Sequence, residues 1–335
     1  MTRFSVGDLS QAYQMRRHTA QLKADIAQHA SEVTTGITAN LSRKVAGDFN
    51  PVAGVERSLT TLKGYGTATS EAASFTASVQ ATLETVQSLS SGVASGLMLA
   101  ATSGNPQLIL AAGADALQRF TSAVSALNTR VADRTLLAGA ATNGPAVAPA
   151  ADILAALNVA IAGETSAAGA AQVISDWFTA PTGYGAQAYQ GSATPLAPFQ
   201  LGGNEEIAMG ITANDPALCD LLAGFAMAAL VGQGAFAGNA TEQAALAKQA
   251  GERLLTAGGG MTNLRASVGT VEARIDEAQV HNTAEITTLT LTLNQIIGVD
   301  GYDAASALEE RQTQLETLYT VTARLSRLSL VDMLR

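Results

Sequence analysis

Cysteine, tryptophan and proline are scarce in this sequence. Its 335 residues include one cysteine, one tryptophan and eight prolines, and aromatic residues make up 4% of the chain. The single cysteine, Cys219, excludes an intramolecular disulfide, and we expect it to be a small buried apolar residue beside Leu218 and Leu221. Because aromatic side chains make the largest packing contributions, their low content predicts long helices packed through aliphatic and small residues.

Charged residues are also scarce, at 14% of the chain, against about a quarter in typical domains. The formal net charge of −9 argues against nucleic acid as a partner, because phosphate binding needs a basic surface. The low charge content has two interpretations that the sequence leaves open. Either much of the surface is buried in an assembly, or the composition is simply biased towards alanine and glycine.

Long apolar runs are missing as well. The first 40 residues contain no apolar run of the length that a cleaved signal peptide requires. The most apolar stretch, Leu218–Val231, is too short to span a bilayer and contains Asp220. We therefore expect neither a cleaved signal peptide nor membrane insertion.

Motifs for catalysis and for metal or cofactor binding are absent from the sequence. The histidines are His18, His29 and His281. The first two share a predicted helix, but a rise of about 16 Å separates them, which is too far for one metal ion. Neither the G-x-S-x-G nucleophile motif nor the phosphate-binding loop G-x-x-x-x-G-K occurs. We predict no catalytic, cofactor-binding or metal site, and a protein that is not an enzyme.

Regular apolar spacing is the strongest positive feature, and it occurs at both ends of the chain. Residues 303–335 contain neither glycine nor proline, and Leu9–Ala39 contains only Gly36. Apolar residues recur in both segments at intervals of three, four or seven, which predicts two long amphipathic helices. We name their apolar stripes the assembly seam. It comprises Met15, Leu22, Ile26, Val33, Ile37, Leu308, Leu315, Leu318, Leu325 and Leu328.

We expect the two terminal helices to pair with each other, because each apolar stripe needs cover. A single helix with an uncovered stripe is marginally stable, so the seam is expected to fold fully only when subunits meet. The alternative is two ordinary surface helices on a globular core.

Further helices are predicted between the two ends. Their apolar residues follow the seven-residue rhythm, and Gly-Asn-Pro or Asn-Asp-Pro sequences separate them. Gly64–Gly66 and Gly258–Gly260 are interpreted as breaks or bends, because glycine weakens a helix. Asn282 is a polar residue within the apolar stripe of a predicted helix, where it can fix the register of helix packing. The predicted helices are Ser70–Ser103, Pro106–Leu137, Pro216–Val231 and Thr241–Ile297.

The middle of the chain differs, because glycine and proline become frequent there. Short helices are predicted over Asp152–Ala162 and Ala167–Phe178. Short strands are predicted over Tyr189–Gln190, Phe199–Leu201 and Glu206–Ile211. The predicted fold is mainly α, with long antiparallel helical hairpins or a coiled coil from both halves of the chain and a small α/β insertion in the middle.

This organisation predicts three domains. Residues 1–45 and 303–335 would form a coiled-coil inner domain from the terminal helices. Residues 46–140 and 213–302 would form a helical rod domain, and residues 141–212 an outer α/β insert.

Three segments resemble the bacterial flagellin family. Gln314–Leu334 (QLETLYTVTARLSRLSLVDML) is similar to the family's C-terminal helix. The start of the chain, including Gly7–Ser10 and Glu32–Gly36, is closer to the branch of hook–filament junction proteins, also called hook-associated protein 3. Leu127–Gly139 resembles the family's segment where the long helix gives way to the outer domain. It keeps Arg134 and Gly139 but has Asp133, Thr135 and Leu137 where the family has a glycine and two aromatic residues.

The resemblance implies a structural subunit of the bacterial flagellum, a hook-associated protein that joins hook to filament and assembles through its terminal helices. It implies export through the flagellar channel without a cleaved signal peptide, and a location in the flagellum outside the cell. The implied partners are copies of the chain in a ring or helical array, a neighbouring hook-junction protein, filament flagellin, the export apparatus and an export chaperone. The alternatives are filament flagellin itself and, from a different class, a secreted coiled-coil adhesin or effector.

Overall fold

The computed structural model describes the backbone of residues 6–333 and the side chains of residues 10, 11 and 13–324. Helices dominate this part of the chain, and two small antiparallel sheets each contain two strands, so the predicted mainly α fold is confirmed. The helices are α1 (Val6–Thr35), α2 (Leu41–Lys44), α3 (Asn50–Ser103), α4 (Pro106–Leu127), α5 (Ala150–Ile161), α6 (Ala167–Thr179), α7 (Tyr184–Gln187), α8 (Pro216–Gly232), α9 (Ala240–Ile297) and α10 (Gly301–Met333). The strands are β1 (Arg130–Val131), β2 (Arg134–Thr135), β3 (Phe199–Gln200) and β4 (Glu206–Ile207).

The chain divides into two units. The terminal unit contains residues 1–63 and 284–335, and the central unit contains residues 64–283. The boundary between the units lies within α3 and α9, so each of these helices contributes to both units. The three domains proposed from the sequence stay a prediction.

Local sequence signals account for the starts of α4 and α8. The side chain of Asn105 accepts a hydrogen bond from the Gln107 amide (2.9 Å), and that of Asp215 accepts one from the Ala217 amide (3.0 Å). Each of these capping residues precedes a proline in the first helical turn. Caps of this kind satisfy amide groups that the first turn leaves free, and a proline there has no amide hydrogen to satisfy.

The end of α4 was predicted wrongly, because the helix ends at Leu127 and not at Leu137. The following residues form the β1–β2 hairpin, whose two turn residues, Ala132 and Asp133, have φ angles of 48° and 62°. Two positive φ angles are required by the tight turns that suit a hairpin, and such turns usually contain glycine or asparagine. The usual sequence signal for the hairpin is therefore missing.

Helices α3 and α9 are continuous where breaks were predicted. Gly64–Gly66 lies inside α3, and Gly258–Gly260 lies inside α9. A glycine in a helix costs about 1 kcal/mol relative to alanine, which the packing of a long helix can offset. Leu254, Met261 and Leu264 flank the glycine run of α9 and are buried in the core, so this packing is present.

Within the central unit, α3 and α9 run antiparallel. The Gln80 side chain donates a hydrogen bond to the Arg265 carbonyl (3.3 Å), and the Gln87 side chain donates one to the Thr262 hydroxyl (3.2 Å). Residue numbers therefore rise along one helix as they fall along the other. The guanidinium of Arg265 also contacts Gln80, Gln87 and Glu84, which makes it the centre of a polar contact between the two helices.

The apolar core lies in the central unit and surrounds α8. Nearly every residue from Leu218 to Val231 is buried, as expected for a helix that is apolar on all sides. Where α4 packs on α8, Gly113 and Gly232 let the two backbones approach closely. The rings of Trp177 and Phe178 on α6 and of Tyr184 on α7 pack together.

The middle of the chain contains less strand than predicted. Of the predicted strand segments, β3 and β4 cover only Phe199–Gln200 and Glu206–Ile207, and Tyr189 forms only an isolated bridge with Val147. Asn282 is buried on α9 and donates a hydrogen bond from its side chain to the Leu201 carbonyl (2.8 Å). This polar residue therefore attaches the segment after β3 to α9.

Candidate assembly surface

The first and last helices, α1 and α10, pack against each other in the terminal unit. The Thr322 hydroxyl on α10 donates a hydrogen bond to Sδ of Met15 on α1 (3.3 Å). At the other end of the pair, Ile37 forms a bridge with Gly298, just before α10. Early residues of α1 thus meet late residues of α10, so the two helices run antiparallel.

The structure places the residues of the assembly seam in different environments. Leu22 is 2% exposed, whereas Val33 and Ile37 are 41% and 43% exposed. The half-buried members of the seam are Met15, Ile26, Leu308, Leu315 and Leu318. The side chains of Leu325 and Leu328 lie outside the described residues. Among the described seam residues, the pairing of α1 with α10 therefore covers one fully and leaves two open to solvent.

A short backbone joint holds the end of α1 against the link between α9 and α10. The Thr38 amide donates to the Ile297 carbonyl (2.9 Å), and the Val299 amide donates to the Gly36 carbonyl (2.9 Å). Gly36 ends α1 with a φ of 70°, a conformation that L side chains rarely adopt. The ammonium group of Lys44 donates a further hydrogen bond to the Gly298 carbonyl (2.6 Å).

The carboxylate of Glu32 stabilises the chain turn at this joint. It is 6% exposed and accepts hydrogen bonds from the Ala39 amide (3.0 Å) and the Gln28 side chain (3.2 Å). Its other oxygen lies 2.8 Å from Nδ1 of His29. Burial by itself raises the pKa of the Glu32 carboxyl group, but the hydrogen bonds from Ala39, Gln28 and His29 lower it below its ordinary value. Glu32 is therefore ionised at neutral pH.

Few apolar side chains are buried among the described residues of the terminal unit. Both clusters of buried apolar residues belong to the central unit. Among the described residues of the terminal unit, the buried apolar side chains are Leu22, Val52, Leu59, Leu62 and Ala304. Of the fourteen large apolar residues that are exposed in the described part of the chain, eight belong to this unit, although it has about a third of the chain. These exposed residues are Tyr13, Val33, Ile37, Phe49, Leu291, Tyr302, Tyr319 and Val321.

The segment Leu127–Gly139 has a clear structural role in the central unit. The Asn128 side chain donates to the Val147 carbonyl (2.8 Å) and accepts from the Val147 amide (2.9 Å), as a neighbouring strand would. Arg134 pairs with Glu71 of α3 at 2.7 Å. Gly139 has a φ of 59°, and a Cβ there would lie 2.6 Å from the Ser192 carbonyl oxygen. Glycine is required at this position by both the backbone conformation and the close contact.

No group of three or more histidine, cysteine, aspartate or glutamate side chains in the described part of the chain could hold a metal ion. Burial, with a smaller contribution from Asp215 and Asp220, raises the pKa of Cys219 to about 12, so its thiol stays protonated. An open cleft of about 530 Å³ is lined by Arg134, Glu71 and Phe199 among others, but its two charged groups pair with each other. Among the described helices, none is both long and apolar enough to cross a membrane.

Sequence reasoning did not predict the contacts that three residues make. Glu32, Asn128 and Gly298 each make contacts to residues beyond their own element. For Glu32 and Asn128, the available signal was their position inside segments that resemble the flagellin family. For Gly298 the signal was a glycine between two long predicted helices, which indicates a joint but not its partner.

Comparison with known proteins finds similarity in sequence over the C-terminal part of the chain and similarity in fold to solved structures. Residues 254–334, which cover the second part of α9 and α10, match the sequence model of the bacterial flagellin C-terminal helical region. No curated protein matches the chain. The fold is similar to a solved structure of a candidate flagellar hook-associated protein from Vibrio parahaemolyticus, with a TM-score of 0.50 and 10% identity. The alignment covers 72% of this chain and 94% of that one.

The two matches differ in how much of the chain they cover. The sequence match is confined to α9 and α10. The structural likeness extends over most of the chain, but at 10% identity it is evidence of a similar fold only. The end of the chain is thus similar in sequence to the flagellin C-terminal helical region, and the fold is similar to that of the Vibrio parahaemolyticus protein.

Proposed function

We propose that this protein is a structural subunit of the bacterial flagellum, and that it is the hook-associated protein that joins hook to filament. It assembles through its terminal helices after export, and its role involves no catalysis. Its location is the flagellum, outside the cell. Its partners are further copies of itself in a ring or helical array, a neighbouring hook-junction protein and filament flagellin, after passage through the export apparatus with an export chaperone.

The main support for this proposal is that the described part of the terminal unit buries few apolar side chains and exposes several large ones. A unit of about a hundred residues that stands alone buries most of its large apolar side chains, and contiguous exposed apolar surface usually marks an interface. The terminal unit instead exposes Val33, Ile37, Tyr319 and Val321 on α1 and α10 or beside them. Cover from neighbouring copies would bury these side chains, which the pairing of α1 with α10 in one chain leaves open.

The charge distribution supports contact through the same unit. The terminal unit has 12 lysines and arginines and 12 aspartates and glutamates, so its formal net charge is zero. The central unit has 7 basic and 16 acidic residues and carries the whole net charge of −9. Because like charges repel at close range, copies meet at a smaller electrostatic cost through the neutral terminal unit.

Antibody labelling of purified flagella distinguishes the proposed function from its alternatives. A junction protein is expected at one short band where hook meets filament. Labelling along the whole filament would identify the chain as filament flagellin and contradict the junction role. Absence from flagella, with the protein free in the medium or on the cell surface, would favour a secreted adhesin or effector and overturn the proposal.

A pair of matched variants tests the route of assembly. Leu22→Glu places a charge at a seam position that is 2% exposed, and we expect it to abolish incorporation into flagella. Leu99→Glu makes the same change on α3 of the central unit, where the side chain is 75% exposed, and should leave incorporation intact. Thermal unfolding of the central unit, measured in both variants, shows whether the subunit remains folded. Normal incorporation of the Leu22→Glu variant would contradict assembly through the terminal helices.

A further inference from the structure

Asn143 and Gly144 form the one Asn–Gly pair in the sequence, in the turn between β2 and α5. Asn143 is exposed. Among the described residues, neither its carboxamide nor the Gly144 amide takes part in a hydrogen bond. A Cβ added at Gly144 would meet nothing within 4 Å, so the space beside its amide is open. The Asn143 side chain is therefore free to turn towards the amide nitrogen that follows it.

This arrangement suits intramolecular attack on the Asn143 carboxamide. The main-chain nitrogen of Gly144 loses its proton to water and forms a bond to Cγ of Asn143, and the side-chain nitrogen leaves as ammonia. The product is a five-membered succinimide ring. Water then adds to one of the two ring carbonyls. Opening at one carbonyl gives aspartate, and opening at the other gives isoaspartate, in which the main chain runs through the side-chain carboxyl carbon.

The surrounding hydrogen bonds determine the consequence for the fold. Thr135 is 1% exposed and donates twice to this turn, from its amide to the Thr142 carbonyl (2.9 Å) and from its hydroxyl to the Gly144 carbonyl (2.6 Å). These two acceptors lie on either side of Asn143. Isoaspartate adds a methylene group to the main chain between them, so Thr135 cannot keep both hydrogen bonds at their present spacing.

Two other sites in the chain provide internal comparisons. Asp300 also precedes a glycine, but its carboxylate accepts hydrogen bonds from the amides of Tyr302 (2.8 Å) and Asp303 (3.3 Å) at the start of α10. The carboxamide of Asn128 is held at both its oxygen and its nitrogen by Val147. Neither side chain is free to reach the following amide.

We infer that Asn143 is a site of spontaneous deamidation, and that isoaspartate at this position loosens the β1–β2 hairpin of the central unit. The modification needs only water and no enzyme. Each event adds one negative charge to the unit that already carries the net charge of −9. The inference rests on the central unit alone and is independent of the proposed role in the flagellum.

Peptide mapping of the purified full chain, aged at neutral to mildly alkaline pH and body temperature, tests the inference. We expect position 143 to gain the mass of an NH2-to-OH exchange faster than every other asparagine, with isoaspartate among its products. Asn128 and Asp300 should stay unchanged over the same time. An intact Asn143 in a sample where other asparagines have reacted would overturn the inference.

Two variants separate the chemistry from its consequence. Gly144→Ala fits the open space, since the φ of Gly144 is not positive, and should slow deamidation at position 143 by hindering the attacking amide. Equal rates of deamidation at position 143 in this variant and in the parent chain would refute attack by the Gly144 nitrogen.

Asn143→Asp adds the charge without lengthening the main chain, so its Tm should match that of the fresh parent protein. The aged parent chain should melt about 2–4 °C lower, as expected for the loss of one hydrogen bond. An unchanged Tm in a fully deamidated sample would contradict the loosening of the hairpin.

Discussion

At the scale of single residues, Glu32 stabilises the place where the two ends of the chain meet. Its carboxylate is buried, yet it accepts hydrogen bonds from Gln28 and Ala39 and lies beside His29. A buried charge is tolerated only where such partners replace water. Because Ala39 lies beyond the Gly36 turn, the carboxylate connects the last turn of α1 to the segment that forms the backbone joint.

The variant Glu32→Gln tests this role. The pKa of Glu32 is lower in the folded protein than its ordinary value, so its ionised form stabilises the fold at neutral pH. This contribution is lost as the pH falls through the folded pKa. We expect the substitution to cost about 1–3 kcal/mol at pH 7. The measurement is hydrogen exchange of the Ala39 amide, which should lose protection in the variant.

The control for this experiment is Glu309→Gln, the same chemical change on an exposed position of α10. It should leave the Ala39 amide protected, since Glu309 is not among its partners. Unchanged protection of Ala39 in the Glu32→Gln variant at pH 7 would show that the carboxylate does not stabilise the joint.

At the scale of elements, the crossing of α4 and α8 depends on two glycines. A Cβ placed on Gly113 would overlap the backbone of Gly232, and one placed on Gly232 would overlap the backbone of Gly113. The two helices therefore pack with their backbones in contact. Side-chain movement cannot relieve an overlap with backbone atoms, so any larger residue at either position must push the helices apart.

Gly113→Ala is therefore expected to destabilise the central unit by about 1–3 kcal/mol, although alanine is the better helix former. Gly258→Ala is the matched control, because a Cβ there would meet nothing within 4 Å inside α9. It should stabilise the same unit by about 0.5–1 kcal/mol. Chemical denaturation measures both values. Stabilisation by both substitutions would contradict close packing at the crossing.

The same elements show what could be predicted from the sequence. Apolar spacing identified α1, α9, α10 and the part of α3 from Ser70 onwards, because a helical period repeated over thirty residues or more is hard to mistake. Gly258–Gly260 misled the prediction, since tertiary packing overrides a weak local preference. The β1–β2 hairpin was missed because Ala132 and Asp133 adopt positive φ angles without the usual residues.

The candidate site was predictable in part for a related reason. The pairing of the terminal helices follows from their apolar stripes, which are local in sequence. The joint was not predictable, because it depends on hydrogen bonds between Gly36 and Val299 and between Thr38 and Ile297. Contacts between backbone groups so far apart in the chain leave no pattern in either segment alone.

At the scale of the whole molecule, the two units differ in how they are stabilised. The central unit buries both apolar clusters, with α8 almost entirely enclosed. The terminal unit buries few apolar side chains among its described residues and exposes several large ones. Local opening needs least free energy where buried apolar contacts are few, so the terminal unit is expected to open far more often than the central unit.

Hydrogen exchange of the full chain checks this difference in one experiment. In dilute monomer, amides of α4 and α8 should exchange slowest, and amides of α1 and α10 should exchange faster by several orders of magnitude, because a gap of about 4 kcal/mol corresponds to roughly a thousandfold. On assembly, the amides of α1 and α10 should gain protection while those of α4 and α8 change little. Protection of α1 and α10 equal to that of α8 in dilute monomer would show that the terminal helices already cover each other fully. Assembly would then join subunits that are folded in advance, and the exposed Tyr319 and Val321 would be contact residues on a preformed surface.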